Sequence, residues 1–224
     1  MDRPRIIVGG FMSADGKTAP KNRHGRLFHK FMSNELFKRL HKIRSEADAV
    51  LVGLGTVLED NPLLMVRATE GKNPIRVVLD SEARTPLSAA VANTKDAPTI
   101  IAVSQSAPRE KLDALRKLGV EVIECGETRV DIRKLVEGLY RKGVRTLLVE
   151  GGAEVRWSFI KEGLVDELFV WVAPVVWGGR QAPTLVDGEG FETVEEATRL
   201  NLTQVDCVEG VVLLTFTVGG TRYG

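Results

Sequence analysis

Short runs that are apolar on both faces constrain this chain more than any other feature. Val50-Leu51-Val52 and Leu147-Leu148-Val149 leave no polar side for water. Such a strand must be covered above and below, as the central strands of parallel α/β sheets are. β-rich runs fenced by Gly, Pro, Asn and Asp recur at 5–11, 47–53, 75–80, 98–104, 120–125, 144–150, 167–173, 199–205 and 210–218. Between several of them the period becomes helical. Apolar residues fall at 36, 37, 40 and 43, then at 112, 115 and 118 behind Pro108. They fall next at 132, 135, 136, 139 and 140, between Asp131 and Gly143, and last at 155, 159 and 160, closed by Gly163. Strands alternating with helices predict an α/β chain with right-handed crossovers. The last two runs flank Val208-Glu209-Gly210 and read as an antiparallel hairpin, which makes the sheet mixed. No linker or repeat interrupts the series, and residues 1–224 read as a single domain.

Composition narrows the class. With 43% hydrophobic and 27% charged residues the chain is not disordered. A net charge of +1 offers no field for nucleic acid or an anionic membrane. The longest apolar runs are too short to span a bilayer, and no secretory signal is visible. Cys125 and Cys207 fit buried thiols in a reducing cytoplasm rather than a disulfide or zinc framework, so a cytoplasmic protein is expected. His24, His29 and His41 lack metal-ligand companions and read as surface groups, whereas Trp157, Trp171 and Trp177 read as core. Charge is uneven: residues 1–45 are strongly basic and 181–224 acidic. A basic N-terminal part suits a phosphorylated ligand, and a solvated basic face suits it equally.

Several motifs sit where strands end. Gly53-Leu54-Gly55 follows a buried run, but Leu58 stands where a Rossmann fingerprint needs its third glycine. Asn61-Pro62 also breaks any helix there within two turns. Glu150-Gly151-Gly152-Ala153-Glu154 lies at a strand-to-helix junction. Glycines there let backbone approach a ligand and free helix N–H groups favour phosphate, although a tight turn would need them too. Met12-Ser13-Ala14-Asp15-Gly16-Lys17 opens a polar segment running to about Lys30, a loop or an active-site lid. Polar sequence at 56–62, with Arg67 beyond, and Asp80-Ser81 with Arg84 end two central runs, where α/β sheets bind ligands. The Ser–Arg pair suits a 2′-phosphate, while Asn73-Pro74 and Pro86 also mark plain turns. There is no P-loop, no nucleophile elbow and no zinc-deaminase signature.

In order and spacing, the segments 12–18, 47–67, 73–86, 147–153 and 163–179 together resemble the reductase family of riboflavin biosynthesis. The likeness to its free-standing archaeal form continues through 182–191, Ala-Pro-Thr-Leu-Val-Asp-Gly-Glu-Gly-Phe. The resemblance implies a dihydrofolate-reductase-like three-layer fold with a mixed, mostly parallel central sheet and a C-terminal antiparallel hairpin. It further implies NADPH-dependent (or NADH-dependent) reduction of 2,5-diamino-6-ribosylamino-4(3H)-pyrimidinone 5′-phosphate to the ribitylamino product, with hydride delivered to ribose C1′. Residue by residue, it gives Thr56, Asp60, Ser81, Arg84, Val130, Gly151, Gly152, Ala153 and Glu154 to the cofactor, with Val130 on the adenine side. Asp60, Leu63, Leu64, Arg67 and Glu150 would line the substrate site, with Asp60 and Glu150 the catalytic candidates and no metal. The match breaks off between Asn22 and Ser33, where substrate contacts stay open.

The residue types suit this chemistry. Hydride transfer is the cofactor's work, so the protein must position two reactants and exclude water. The two carboxylates can accept hydrogen bonds from ribose hydroxyls or amino groups and stabilise a cationic imine. Arg67, Lys17 or another basic N-terminal residue would hold the 5′-phosphate. The alternatives are the 5-amino-6-(5-phosphoribosylamino)uracil reductase, dihydrofolate reductase, and a module that senses NADPH without turnover. Chain length and the basic part weigh against dihydrofolate, and the absence of a fused deaminase favours the non-deaminated substrate. The uncharged stretch 211–216, with Trp171, Val172, Val175, Val176 and Trp177, predicts a homodimer with its interface near 169–177 or the terminal hairpin.

Overall fold

A computed structural model describes residues 2–21 and 30–219. The chain divides into two compact units: Met1–Arg5 with Phe37–Gly152, and Ile6–Leu36 with Ala153–Gly224.

The first unit holds β2 (Ala49–Gly53), β3 (Ile75–Leu79), β4 (Thr99–Val103), β5 (Glu121–Glu124) and β6 (Thr146–Gly151). Their spatial order is β5-β4-β3-β2-β6, and every pairing is parallel. All residues of β2 and β4 are buried, as expected for strands without a polar side. The helices of this unit are α2 (Leu54–Asp60), α3 (Arg109–Lys117), α4 (Ile132–Arg141) and most of α1 (Asn34–Glu46). In α4 the side chain of Asp131 accepts the Lys134 N–H at 3.0 Å, and Leu135, Val136 and Leu139 form a fully buried stripe. Helix α2, which the four helical patterns of the sequence did not include, ends within two turns, as the Asn61-Pro62 break requires. Seven residues fit before the proline because Asn61 takes the left-handed conformation (φ 42°), its N–H bonding the Val57 carbonyl.

The second unit holds most of β1 (Arg5–Ser13), with β7 (Glu167–Ala173), β8 (Leu200–Val208), β9 (Val211–Val218) and the helix α5 (Ala153–Lys161). The order is β1-β7-β9-β8, parallel between β1 and β7 and antiparallel thereafter. Glu209 and Gly210 both have positive φ in the β8–β9 turn, as a two-residue hairpin turn requires. The uncharged run of β9 is therefore interior, with β7 on one side and β8 on the other. The core of this unit includes Ile6, Val8, Phe159, Phe169 and Trp171.

Two sequence readings fail on burial. Cys125 is buried but Cys207, on β8, is exposed, and His41 is fully buried rather than a surface group. His24 and His29 lie outside the described residues, as does most of the stretch between Asn22 and Ser33.

Candidate active site

Glu150 owes its direction to a break in strand pairing. Leu51 of β2 pairs with Val149 of β6, but the next β2 residue, Val52, pairs with Gly151. Glu150 is thus an extra residue in the ladder, a bulge that turns its side chain out of the regular alternation. Its carboxylate accepts two hydrogen bonds from one edge of the Arg44 guanidinium, Nε to Oε1 at 2.6 Å and Nη2 to Oε2 at 2.7 Å. The pair is nearly enclosed, with side-chain exposures of 11% and 12%. Burial pulls the Arg44 pKa down, and the charge and hydrogen bonds of Glu150 more than offset it, leaving Arg44 above its ordinary value.

The chain from Asn61 to Arg67 is pinned beside this pair. Arg44 Nη1 donates to the Met65 carbonyl at 3.4 Å. The Val66 N–H donates to Asn73 Oδ1 and the Arg67 N–H to His41 Nδ1, both at 2.8 Å. Asn61 Oδ1 accepts the Ala90 N–H at 2.7 Å. Leu64 is held at φ 52° with its side chain 2% exposed, an arrangement a leucine adopts only when its surroundings impose it. Leu63 is exposed beside it. The Arg67 guanidinium lies 5.7 Å from the Phe37 ring centroid and meets no carboxylate among the described residues. Burial and the charge of Arg44 both lower its pKa. An exposed cation beside a second, already neutralised one is suited to an anion.

Seven of the nine residues assigned to a cofactor belong to the same unit. Thr56 and the half-buried Asp60 lie on α2 after β2. A Cβ on Gly151 would stand 2.8 Å from Thr56 Oγ1, so only glycine lets the two approach. Gly152 follows at φ 87°. At the end of β3, Asp80 Oδ2 accepts the Thr85 N–H and hydroxyl at 2.6 and 2.7 Å, closing a turn in which Ala83 has φ 53°. Oδ1 of the same buried carboxylate has no hydrogen-bond partner among the described residues. That turn presents Ser81, whose Oγ accepts the Val130 N–H at 3.1 Å, and the exposed Arg84, which pairs with Glu82 at 3.4 Å. Gly126 makes the Val130 contact possible, since a Cβ there would stand 2.0 Å from the Arg129 carbonyl oxygen. Ala153 and Glu154 are the first residues of α5 and belong to the second unit.

Lys17 is oriented by a hydrogen bond from Nζ to the Ala182 carbonyl at 3.2 Å. The Asp-Gly turn before it is fastened through Asp15, which accepts the Trp177 and Gly178 N–H groups at 3.2 and 2.7 Å. Among the described residues, no group of three or more His, Cys, Asp or Glu could hold a metal.

Sequence reading missed Arg44 and the role of His41. One signal was available: Phe37, His41 and Arg44 stand four and three residues apart, which places them on one face of a helix.

The first unit is thus an α/β sheet with glycine-bearing turns after its central strands, and a buried carboxylate–guanidinium pair near Arg67, a cation that meets no carboxylate among the described residues. The RibD C-terminal domain family matches residues 4–214, and the chain belongs to that family. It is 44% identical over 216 residues to the 2,5-diamino-6-ribosylamino-4(3H)-pyrimidinone 5′-phosphate reductase of Aquifex aeolicus, covering 96% of both chains. Against the protein of the same name from Methanothermobacter thermautotrophicus it is 42% identical over 221 residues, covering 97% of this chain and 100% of the other. Acinetobacter baumannii RibD shares the fold with a TM-score of 0.81 at 24% identity; the match covers 98% of this chain and 59% of that one.

Proposed function

We propose that this protein reduces 2,5-diamino-6-ribosylamino-4(3H)-pyrimidinone 5′-phosphate to its ribitylamino product, working as one cytoplasmic reductase domain over residues 1–224. Near-full-length identity of 44% and 42% to two reductases of that name carries this reading.

The residues fit NADPH. The glycine pair leaves room for backbone to meet a pyrophosphate, Ser81 and Arg84 suit a 2′-phosphate, and Thr56, Asp60 and Val130 complete the set, with Ala153 and Glu154 following in sequence. Bound there, NADPH supplies the hydride. The protein's own part is positioning. Arg67 holds the substrate phosphate. Glu150, fixed by Arg44, and Asp60 accept hydrogen bonds from the sugar or the pyrimidine amino groups and favour positive charge at C1′ as the ring opens. The pinned 61–67 segment places Leu63 and the Leu64 backbone along the substrate.

The test follows loss of NADPH absorbance with the diaminopyrimidinone phosphate, its deaminated uracil counterpart and dihydrofolate, and repeats it with NADH. Turnover of the first compound and not the third is expected. Turnover of the uracil compound alone would shift the assignment to that reductase, and NADPH binding without any turnover would leave a sensing module.

We also propose a homodimer. Trp171 and Phe169 are already buried, which leaves for the interface Val176, 73% exposed, and the edge strand β8, where Leu200, Leu202 and Val205 are 39%, 55% and 57% exposed. An apolar edge strand of this kind needs a cover.

A further inference from the structure

Arg67 is held by two residues of α1 that have no part in the assignments above. His41 is completely buried, and its Nδ1 accepts the Arg67 backbone N–H at 2.8 Å. That bond requires an unprotonated Nδ1, since an imidazolium has no acceptor. One turn earlier on the same helix face, the Phe37 ring packs against His41, tilted by 56° with ring centroids 4.3 Å apart, and its centroid lies 5.7 Å from the Arg67 guanidinium carbon. One helix face thus fixes Arg67 twice, by its main chain and by its side chain. Flexible side chains that must be ordered on binding lose affinity through conformational entropy. An arginine whose backbone is tied and whose guanidinium already rests on a ring pays less of that cost.

We propose that His41 and Phe37 are positioning residues for the substrate anion: they preorganise Arg67, and His41 acts through the hydrogen bond to its backbone. The inference rests on Arg67 being the substrate-phosphate residue. A group that binds a non-reacting part of the substrate affects KM and not kcat. The effect of His41 should therefore appear in KM alone.

The test compares His41→Leu, His41→Asn, Arg67→Ala and the double variant His41→Leu/Arg67→Ala, with the diaminopyrimidinone phosphate at saturating NADPH. Asparagine is the conservative variant, because its Oδ1 can accept the Arg67 N–H where Nδ1 did. His41→Leu should raise KM roughly fivefold with kcat within about twofold, the loss of one hydrogen bond's worth of positioning. His41→Asn should stay within about twofold of the parent on both constants. In the Arg67→Ala background, His41→Leu should add no further rise in KM. Loss of kcat in His41→Leu, failure of Asn to rescue, or an undiminished effect in the double variant would overturn the proposal. If His41→Leu does not fold, Phe37→Leu takes its place, with a KM rise of about threefold expected and an unchanged KM overturning it. Should Arg67→Ala leave KM unaltered, the phosphate assignment itself fails. The positioning claim is then judged by amide exchange at Arg67, which should quicken in His41→Leu and not in His41→Asn; unchanged protection in both would overturn it.

Discussion

At the scale of single residues, the two carboxylates proposed as catalytic differ in burial. Asp60 is half-buried at the end of α2, and Asp60→Asn should lower kcat/KM by two to three orders of magnitude, about 2–4 kcal/mol of transition-state stabilisation, with little change in melting temperature. Glu150 is locked to a buried guanidinium, so Glu150→Gln strands the Arg44 charge. That variant should lose activity and, in addition, about 3 kcal/mol of folding stability, read by urea unfolding. Equal stability losses in the two variants would contradict the enclosure of the ion pair. The cysteines differ in the same local way. Burial pushes the Cys125 thiol up to about 11, and the nearby Asp131 charge adds to this. The thiolate is the nucleophile, so native Cys125 should stay unmodified at pH 8 while the exposed Cys207 is alkylated, as mass spectrometry would show.

At the scale of elements, the junction from β6 through Gly151-Gly152 into α5 joins the proposed cofactor cradle to the strand that carries Glu150. Gly152 sits at φ 87°, where a β-branched side chain is strained and would also project toward the proposed ligand. Gly152→Val should weaken NADPH binding at least tenfold, measured by fluorescence titration, at a cost of about 1–2 kcal/mol in stability. Unchanged affinity in a folded protein would remove this turn from the cofactor site. Helix α2 is a complementary case: its seven residues set Thr56 beside Gly151 and end at Asp60, so its length places both side chains.

At the scale of the whole molecule, the exposed edge strand is the feature with a consequence for assembly. Leu202→Lys with Val205→Lys puts two charges on the apolar face of β8 without touching buried positions. Light scattering should then report the 24.6 kDa mass of one chain, where the parent gives twice that. A parent that is already monomeric at micromolar concentration would end the dimer proposal and leave the enzymatic one intact. No helix among the described residues is long and apolar enough to cross a membrane.

The local pattern of the sequence determined the strands, most of the helices and the hairpin. Two-sided apolar runs such as 50–52 and 147–149 can be satisfied only by cover on both faces, and Asp131 and Gly143 mark the ends of α4 within a few residues. The positions of Glu150, Ser81 and Gly151 at strand ends were legible for the same reason, because polar residues and glycines after a buried run mark where such a sheet opens to solvent. What Glu150 does there was decided by tertiary structure. Simple alternation along β6 gives its side chain one direction, and the bulge opposite Leu51 and Val52 gives it another. The helical spacing of His41 and Arg44 put them on one face but did not say what they bond, because their partners lie 26 and 106 positions away in the chain. A buried arginine or histidine is tolerated only where a distant segment supplies its hydrogen bonds, and only the packed chain brings that segment within 3 Å.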